Sequence, residues 1–283
     1  MTMKFGVDIT SAGPWGDPEQ MAELAVLAEA SGWNGVFCED YVVFPDGAPT
    51  YDPWVSLGLM AQATTTVTLG TMVTPLPRRR PSTVAAQAMT VDRVSGGRLV
   101  LGVGLGDGGD DFAGFGETAD LRERAEILDE SLSILDALWS GEPCTFHGRH
   151  FDVSEVALAP TPVQRPRVPI WVGGALTKRG PRARALRWDG ACMYRVPPSE
   201  GWGDVTPEDV RQLRADARDA RGDDLFVVAV GGRERGDDLA AEQAYVAALG
   251  AAGADWWHEY MPPTLEIDHV RERIGAGPLR GSD

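Results

Sequence analysis

Three short stretches hold the side chains best suited to chemistry. Glu39-Asp40-Tyr41 sets two carboxylates beside a phenol, a group that could orient a substrate and give it a proton. The segment GVGLGDGGDDFAGFG (102–116) places Asp107, Asp110 and Asp111 among seven glycines. Gly173-Gly174 precedes Lys178, Arg179 and Arg182 at a helix start, so bare N–H groups and positive charge could hold a phosphate. A tight turn with solvated basic residues is the plainer alternative there. Gly104-Leu-Gly106-Asp-Gly-Gly109 also fits G-x-G-x-x-G, which keeps a dinucleotide dehydrogenase among the readings.

Other chemistries find less support. Zinc hydrolysis is disfavoured, because the first strand lacks His-x-His and no further histidines stand at strand tips. His147-x-x-His150, flanked by Phe and Arg, reads as a surface hairpin, and no metal is expected. There is no G-x-S-x-G elbow for a nucleophilic serine. His258, beside two tryptophans, reads as a satisfied rim residue rather than a base. Cys38, Cys144 and Cys192 are odd in number and widely spaced, and read as buried free thiols in a reducing compartment.

The elements that must position these groups alternate. Residues 4–9 read as a strand. Asp17-Pro18-Glu19-Gln20 then caps a helix with Met21, Leu24, Ala25 and Ala28 on one face. Strands follow at 35–38, 67–73 and 98–103, with helices opening at Asp52-Pro53 and Pro81 and a long helix over about 120–138. After an irregular Pro-rich segment, 141–169, come strands at 169–174, 189–194, 225–232 and 254–257. Helices capped by Thr206-Pro207 and Asp237/Asp238 separate the later ones. Eight strands, each followed by a helix or a helix-sized segment, predict a single (β/α)8 TIM-barrel domain over 1–283. Its insertion, about 141–169, follows the fourth β/α unit. A doubly wound sheet is the rival, but it would carry its glycine loop after the first strand. A barrel gathers chemistry at the C-terminal strand ends, where Asp40, Tyr41, Thr71, Met72, Val73, Gly104, Gly106, Gly173, Gly174 and Tyr194 fall.

The chain has 283 residues, 43% hydrophobic, and a formal net charge of −16. A polyanionic nucleic acid or an anionic membrane is therefore not expected as a partner. No apolar run approaches the roughly 18 residues of a membrane span. The opening MTMKFGVDIT lacks a basic-then-apolar signal, so a cytoplasmic location is expected.

Six stretches, in order, resemble the bacterial luciferase-like family of flavin- and deazaflavin-dependent oxidoreductases: EASGWNGVFCEDY (29–41), LGTMVTPLPRRRP (69–81), VDRVSGGRLVLGVGLG (91–106), RAEILDESLSILDALWSGEP (124–143), PTPVQRPRVPIWVGG (160–174) and RWDG (187–190). The resemblance covers nearly the whole chain and implies an eight-stranded barrel. It implies a reduced flavin-type cofactor, FMN or coenzyme F420, acting on a small-molecule substrate. Monooxygenation is the first chemistry it suggests; F420-dependent hydride transfer and a flavin-binding protein without turnover are the alternatives. It also admits a separate flavin reductase as partner, and a homodimer.

The resemblance further implies that the loop after the fourth strand lines the isoalloxazine pocket instead of cradling a pyrophosphate. The three nearby carboxylates would repel such a group in any case. Thr71, Met72, Val73, Gly104, Gly106, Asp110 and Tyr194 are then expected cofactor contacts, with the phosphate near Gly173-Gly174. A non-prolyl cis peptide of the family maps to Met72-Val73. Asp40, Tyr41 and Asp107 are the expected catalytic residues. Two of them depart from many relatives, which have His in place of Tyr41 and Trp in place of Asp107. A phenol with an ordinary pKa near 10 donates a proton well and accepts one poorly. Tyr41 is therefore expected as a donor, with Asp40 orienting it or capping the following loop.

Overall fold

The computed structural model describes residues 2–44, 47–107, 109–196 and 203–280. Its helices begin where the capping chemistry places them. Asp17 accepts the N–H groups of Glu19 and Gln20 at 3.2 Å and opens α1 (Pro18–Ala30). Asp52 does the same for α2 (Pro53–Ala63), with α3 (Pro81–Ser95) and α4 (Leu121–Trp139) following. Later come α5 (Arg179–Ala185), α6 (Pro207–Arg221), α7 (Leu239–Ala252) and α8 (Ile267–Gly275). Thr206 and Asp209 form a reciprocal capping box on α6.

The strands are β1 (Lys4–Ile9), β2 (Gly35–Cys38), β3 (Thr68–Thr71), the short β4 (Thr74–Pro75), β5 (Leu99–Gly104), the pair β6 (Cys144–His147) and β7 (Asp152–Val156), then β8 (Ile170–Ala175), β9 (Gly190–Tyr194), β10 (Val227–Arg233) and β11 (Trp256–Met261). Eight of them pair in parallel in the order β3-β2-β1-β11-β10-β9-β8-β5, and a β3–β5 pairing closes the ring. The fold is the expected TIM barrel. In that ring β8 stands diametrically opposite β1.

Two layers of apolar packing hold it. Val7, Leu24, Leu57, Leu101, Leu132 and Val172 belong to the core between strands and helices. Inside the barrel, Phe37, Trp171 and Trp256 plug the floor, with ring centroids 5.6–5.7 Å apart. Because side chains alternate across a strand, these three fix which neighbours point inward.

Three details differ from the sequence expectation. The third strand ends at Thr71, where the cis Met72–Val73 peptide turns the chain before β4 pairs with β5. The last strand runs on to Met261, because Trp256, His258 and Tyr260 continue its inward alternation past two tryptophans that read as its end. His258 accordingly lies inside the barrel, 3% exposed, and not on the rim.

The excursion after α4 contains the antiparallel β6–β7 hairpin. Glu130 of α4 receives the N–H groups of Arg149, His150 and Phe151 there (2.7, 3.0 and 3.0 Å). His147 and His150 face Asp152 and Glu126, and no group of three metal-ligating side chains occurs among the described residues. No described helix is long and apolar enough to cross a membrane. All three cysteines are free, Cys38 and Cys144 buried and Cys192 half-buried.

Candidate active site at the barrel mouth

One side of the mouth is built from β11, β1 and β2. Their inward positions above the aromatic plug are Tyr260 and His258, Asp8, and Glu39 just beyond Cys38. Asp8 Oδ1 lies 2.7 Å from His258 Nδ1, and the Tyr260 hydroxyl donates to Glu39 Oε2 at 3.0 Å. Burial raises the Glu39 pKa to about 7, with Asp8 and Asp107 adding to the rise and the Tyr260 hydrogen bond opposing it. Burial and the neighbouring Glu39 also push the Tyr260 phenol well up.

Above this layer the Tyr41 hydroxyl donates to Asp107 Oδ2 at 2.5 Å, joining the loops after β2 and β5. Burial, then the charges of Asp107 and Glu39, hold the Tyr41 pKa far above its ordinary value. The phenol therefore stays protonated at neutral pH. Phe44 packs edge-on against its ring at 5.0 Å.

Asp40 has different surroundings. Its buried carboxylate receives Arg79 Nε and Nη2 at 2.7 and 2.6 Å, Arg78 Nη2 at 3.0 Å and the Thr74 hydroxyl at 2.9 Å. Arg78 also pairs with Asp111, whose other oxygen takes the N–H groups of Val42 and Val43. Asp40 and Asp111 thus tie three loops together, and the lone pairs of Asp40 are spoken for.

The opposite side of the mouth is hollowed by glycine. A Cβ built on Gly104 would lie 2.7 Å from Val73 Cγ2, and one on Gly173 would lie 3.0 Å from Val73 Cγ1. Val73 therefore rests on two bare backbones, and that packing is what the first glycines of the loop provide. Gly106 adopts φ +74°, with Phe112 and Pro75 where its side chain would go. Gly174 has φ +154°, and its Cβ would meet Pro181 at 2.6 Å.

Beyond β8, Lys178 and Arg179 are exposed, whereas Arg182 pairs with Asp216. Asp110 is exposed on the turn 109–111, and Tyr194 is half-buried at the end of β9. Thr71 is buried and Met72 half-buried at the β3 break. The sequence-level residues thus lie around one mouth, Asp40 below its surface. The exposed Lys178 and Arg179 stand at the edge of the glycine-rich side.

Tyr260 escaped the sequence reading, and Glu39 was grouped with Asp40 and Tyr41 without being chosen as a site residue. Glu39 stood next to the chosen Asp40-Tyr41 pair, and strand parity from Phe37 would have marked it as the inward carboxylate. Tyr260 lay past the assumed end of its strand, and extending the Trp256, His258 alternation by one step would have found it.

Comparisons with known proteins agree with this architecture. A family model described as luciferase-like monooxygenase matches residues 2–266. A protein of Microbacterium testaceum named F420-dependent glucose-6-phosphate dehydrogenase is 34% identical over 174 residues, covering 60% of this chain and 49% of the relative. The chain spans about half the length of the curated relatives it matches. Among solved structures, a monooxygenase from Streptomyces bottropensis superposes with TM-score 0.77 at 20% identity over 96% of each chain. An F420-dependent secondary alcohol dehydrogenase, solved with an F420-acetone adduct, gives TM-score 0.74 at 19% identity over 99% of this chain and 100% of that one.

Proposed function

The chain belongs to the luciferase-like monooxygenase family, and from that premise we propose that it is an F420-dependent oxidoreductase interconverting an alcohol and a carbonyl on a small organic molecule. The resemblance puts oxygenation with FMN first. Two considerations favour hydride transfer. Curated relatives carry the names of F420-dependent dehydrogenases. The observation that carries the reading is the Tyr41–Asp107 pair, a proton donor hydrogen-bonded to a proton acceptor at the mouth.

Bound F420 would supply or accept the hydride. This chain's residues handle the proton. When an alcohol is oxidised, its hydroxyl proton passes to Tyr41 Oη as the Tyr41 proton passes to Asp107; carbonyl reduction runs the same path backwards. The raised Tyr41 pKa argues against a standing tyrosinate, so the two transfers go together. The Gly173-Gly174 backbone with Lys178 and Arg179 would hold the cofactor phosphate. Thr71, Met72, Val73, Gly104, Gly106, Asp110 and Tyr194 would surround the ring. Asp40 would hold the loop that presents Tyr41.

Titration of the protein with F420 and with FMN, followed by turnover with a panel of alcohols, tests this. Tight F420 binding and alcohol-dependent loss of the deazaflavin absorbance are expected. Preferential FMN binding with substrate-dependent oxygen uptake would return the reading to oxygenation. Binding without turnover would make the protein a carrier.

A further inference from the structure

We infer that the substrate of this site is uncharged or cationic, a hydroxyl- or amine-bearing molecule with an apolar body, and that phosphorylated or carboxylated molecules are rejected. The inference rests on the proposed function and narrows it. Its ground is the distribution of charge around the mouth. The loops after β1 (10–17), β2 (39–52), β5 (105–120) and β11 (262–266) contain no Lys or Arg. They carry Glu39 and Asp107 instead, and Asp8 stands at the end of β1.

Arginines that reach this side from other elements are already engaged. Arg78 and Arg79 serve Asp40, and Arg124 donates to the carbonyls of Leu105 and Gly106. Arg233 pairs with Glu242, and Arg235 with Glu259. The exposed cations on the mouth side, Arg80, Lys178 and Arg179, follow β4 and β8. Because β8 is opposite β1 in the ring, Lys178 and Arg179 lie across the mouth from Asp8 and Glu39. An anionic substrate held beside Tyr41 would face Glu39 and Asp107 first, with the exposed cations Lys178 and Arg179 across the mouth and Arg80 after β4.

Two further observations describe what does fit. The loops that carry Glu39 and Asp107 expose Val42 (48%), Val43 (37%) and Phe115 (58%), an apolar rim for an apolar body. Below the rim, Asp8 is paired with the buried His258, so Glu39 and Asp107 are the carboxylates nearest to a molecule at Tyr41. The carboxylates accept hydrogen bonds from a hydroxyl or amine and repel the alternatives.

Three probes matched in size decide the matter: cyclohexanol, cyclohexylamine and cyclohexanecarboxylate, followed by saturation-transfer NMR at pH 8.5, with and without F420. The alcohol and the amine should bind at least about 100-fold more tightly than the carboxylate. Glu39→Gln and Asp107→Asn should each narrow that gap by about tenfold. Raising the ionic strength should strengthen carboxylate binding to the unmodified protein, an arm that needs no variant to fold. Carboxylate binding as tight as that of the alcohol, a ratio that neither substitution nor salt moves, or no binding of any probe at millimolar concentration would overturn the inference. Failure to bind F420 would count against the proposed function alone, because the charge order is read without it as well.

Discussion

Tyr41 and Asp107, 66 residues apart in the chain, share a hydrogen bond of 2.5 Å at the barrel mouth. The resemblance to the family implies His and Trp at these two positions, and in this chain the two side chains touch. The pair is therefore one device.

As one device, it should fail as one. Tyr41→Phe should lower turnover about 10²-fold, the usual scale for a positioned proton donor, while cofactor affinity stays within about twofold. Asp107→Asn should cost a similar factor, and the double variant little more than either single one. A double-mutant cycle on kcat reads this directly. Multiplicative losses would mean that the two side chains act separately.

Glu39 gives the protein a stability change near neutrality. Its folded pKa of about 7 lies above the ordinary 4.5, so the buried neutral form stabilises the fold fully below pH 4.5. That stabilisation is lost as pH rises through 7. Asp8, Asp107, Tyr41 and Tyr260 face this carboxyl and tune it. Glu39→Gln should raise Tm by about 5 °C at pH 8.5 and leave it nearly unchanged at pH 4.5. Thermal scans at the two pH values check it; an equal shift at both would remove Glu39 as the titrating group.

Asp40 should matter for stability before chemistry. Asp40→Asn keeps the shape but leaves Arg78 and Arg79 without their shared carboxylate, at a cost of about 3–5 kcal/mol. The expected result is a Tm lower by roughly 10 °C. A variant with unchanged Tm and abolished turnover would restore a direct catalytic role to Asp40.

Glu29 supplies a control far from the mouth. Burial pushes its pKa up, but the N–H groups of Thr66, Thr65 and Val67 outweigh that and bring it to about 2. Its folded pKa is depressed, so its contribution is present above about pH 4.5 and fades as pH falls towards 2. Glu29→Gln should destabilise by about 2 kcal/mol at pH 7 and by less at pH 3. Urea midpoints at both values test it, and a pH-independent difference would show that charge is not the cause.

How much of this was legible depended on whether the information was local. Asp17, Asp52 and Thr206 cap their helices with groups two or three residues away, so the pattern alone placed α1, α2 and α6. The eightfold alternation of strands and helices was equally visible. The partners of Asp40 were not, because Arg78 and Arg79 lie almost forty residues on and meet it only when β2 and β3 stand side by side. The Tyr260–Glu39 contact depends on β11 closing the ring against β1, a long-range pairing that no local window contains. Strand parity could have pointed both side chains inward, but not joined them.

The seat of Val73 on Gly104 and Gly173 has an evolutionary corollary. The three positions share one volume, so they cannot drift independently. A methyl added at 104 or 173 would have to be matched by a smaller residue at 73, and a bulkier residue at 73 would have no room to enter. Among descendants of a common ancestor, these positions should change in concert or stay fixed together. A laboratory library that varies one of the three alone would sample mostly dead ends, whereas one that trades size among them could reshape the pocket floor while the barrel stays closed.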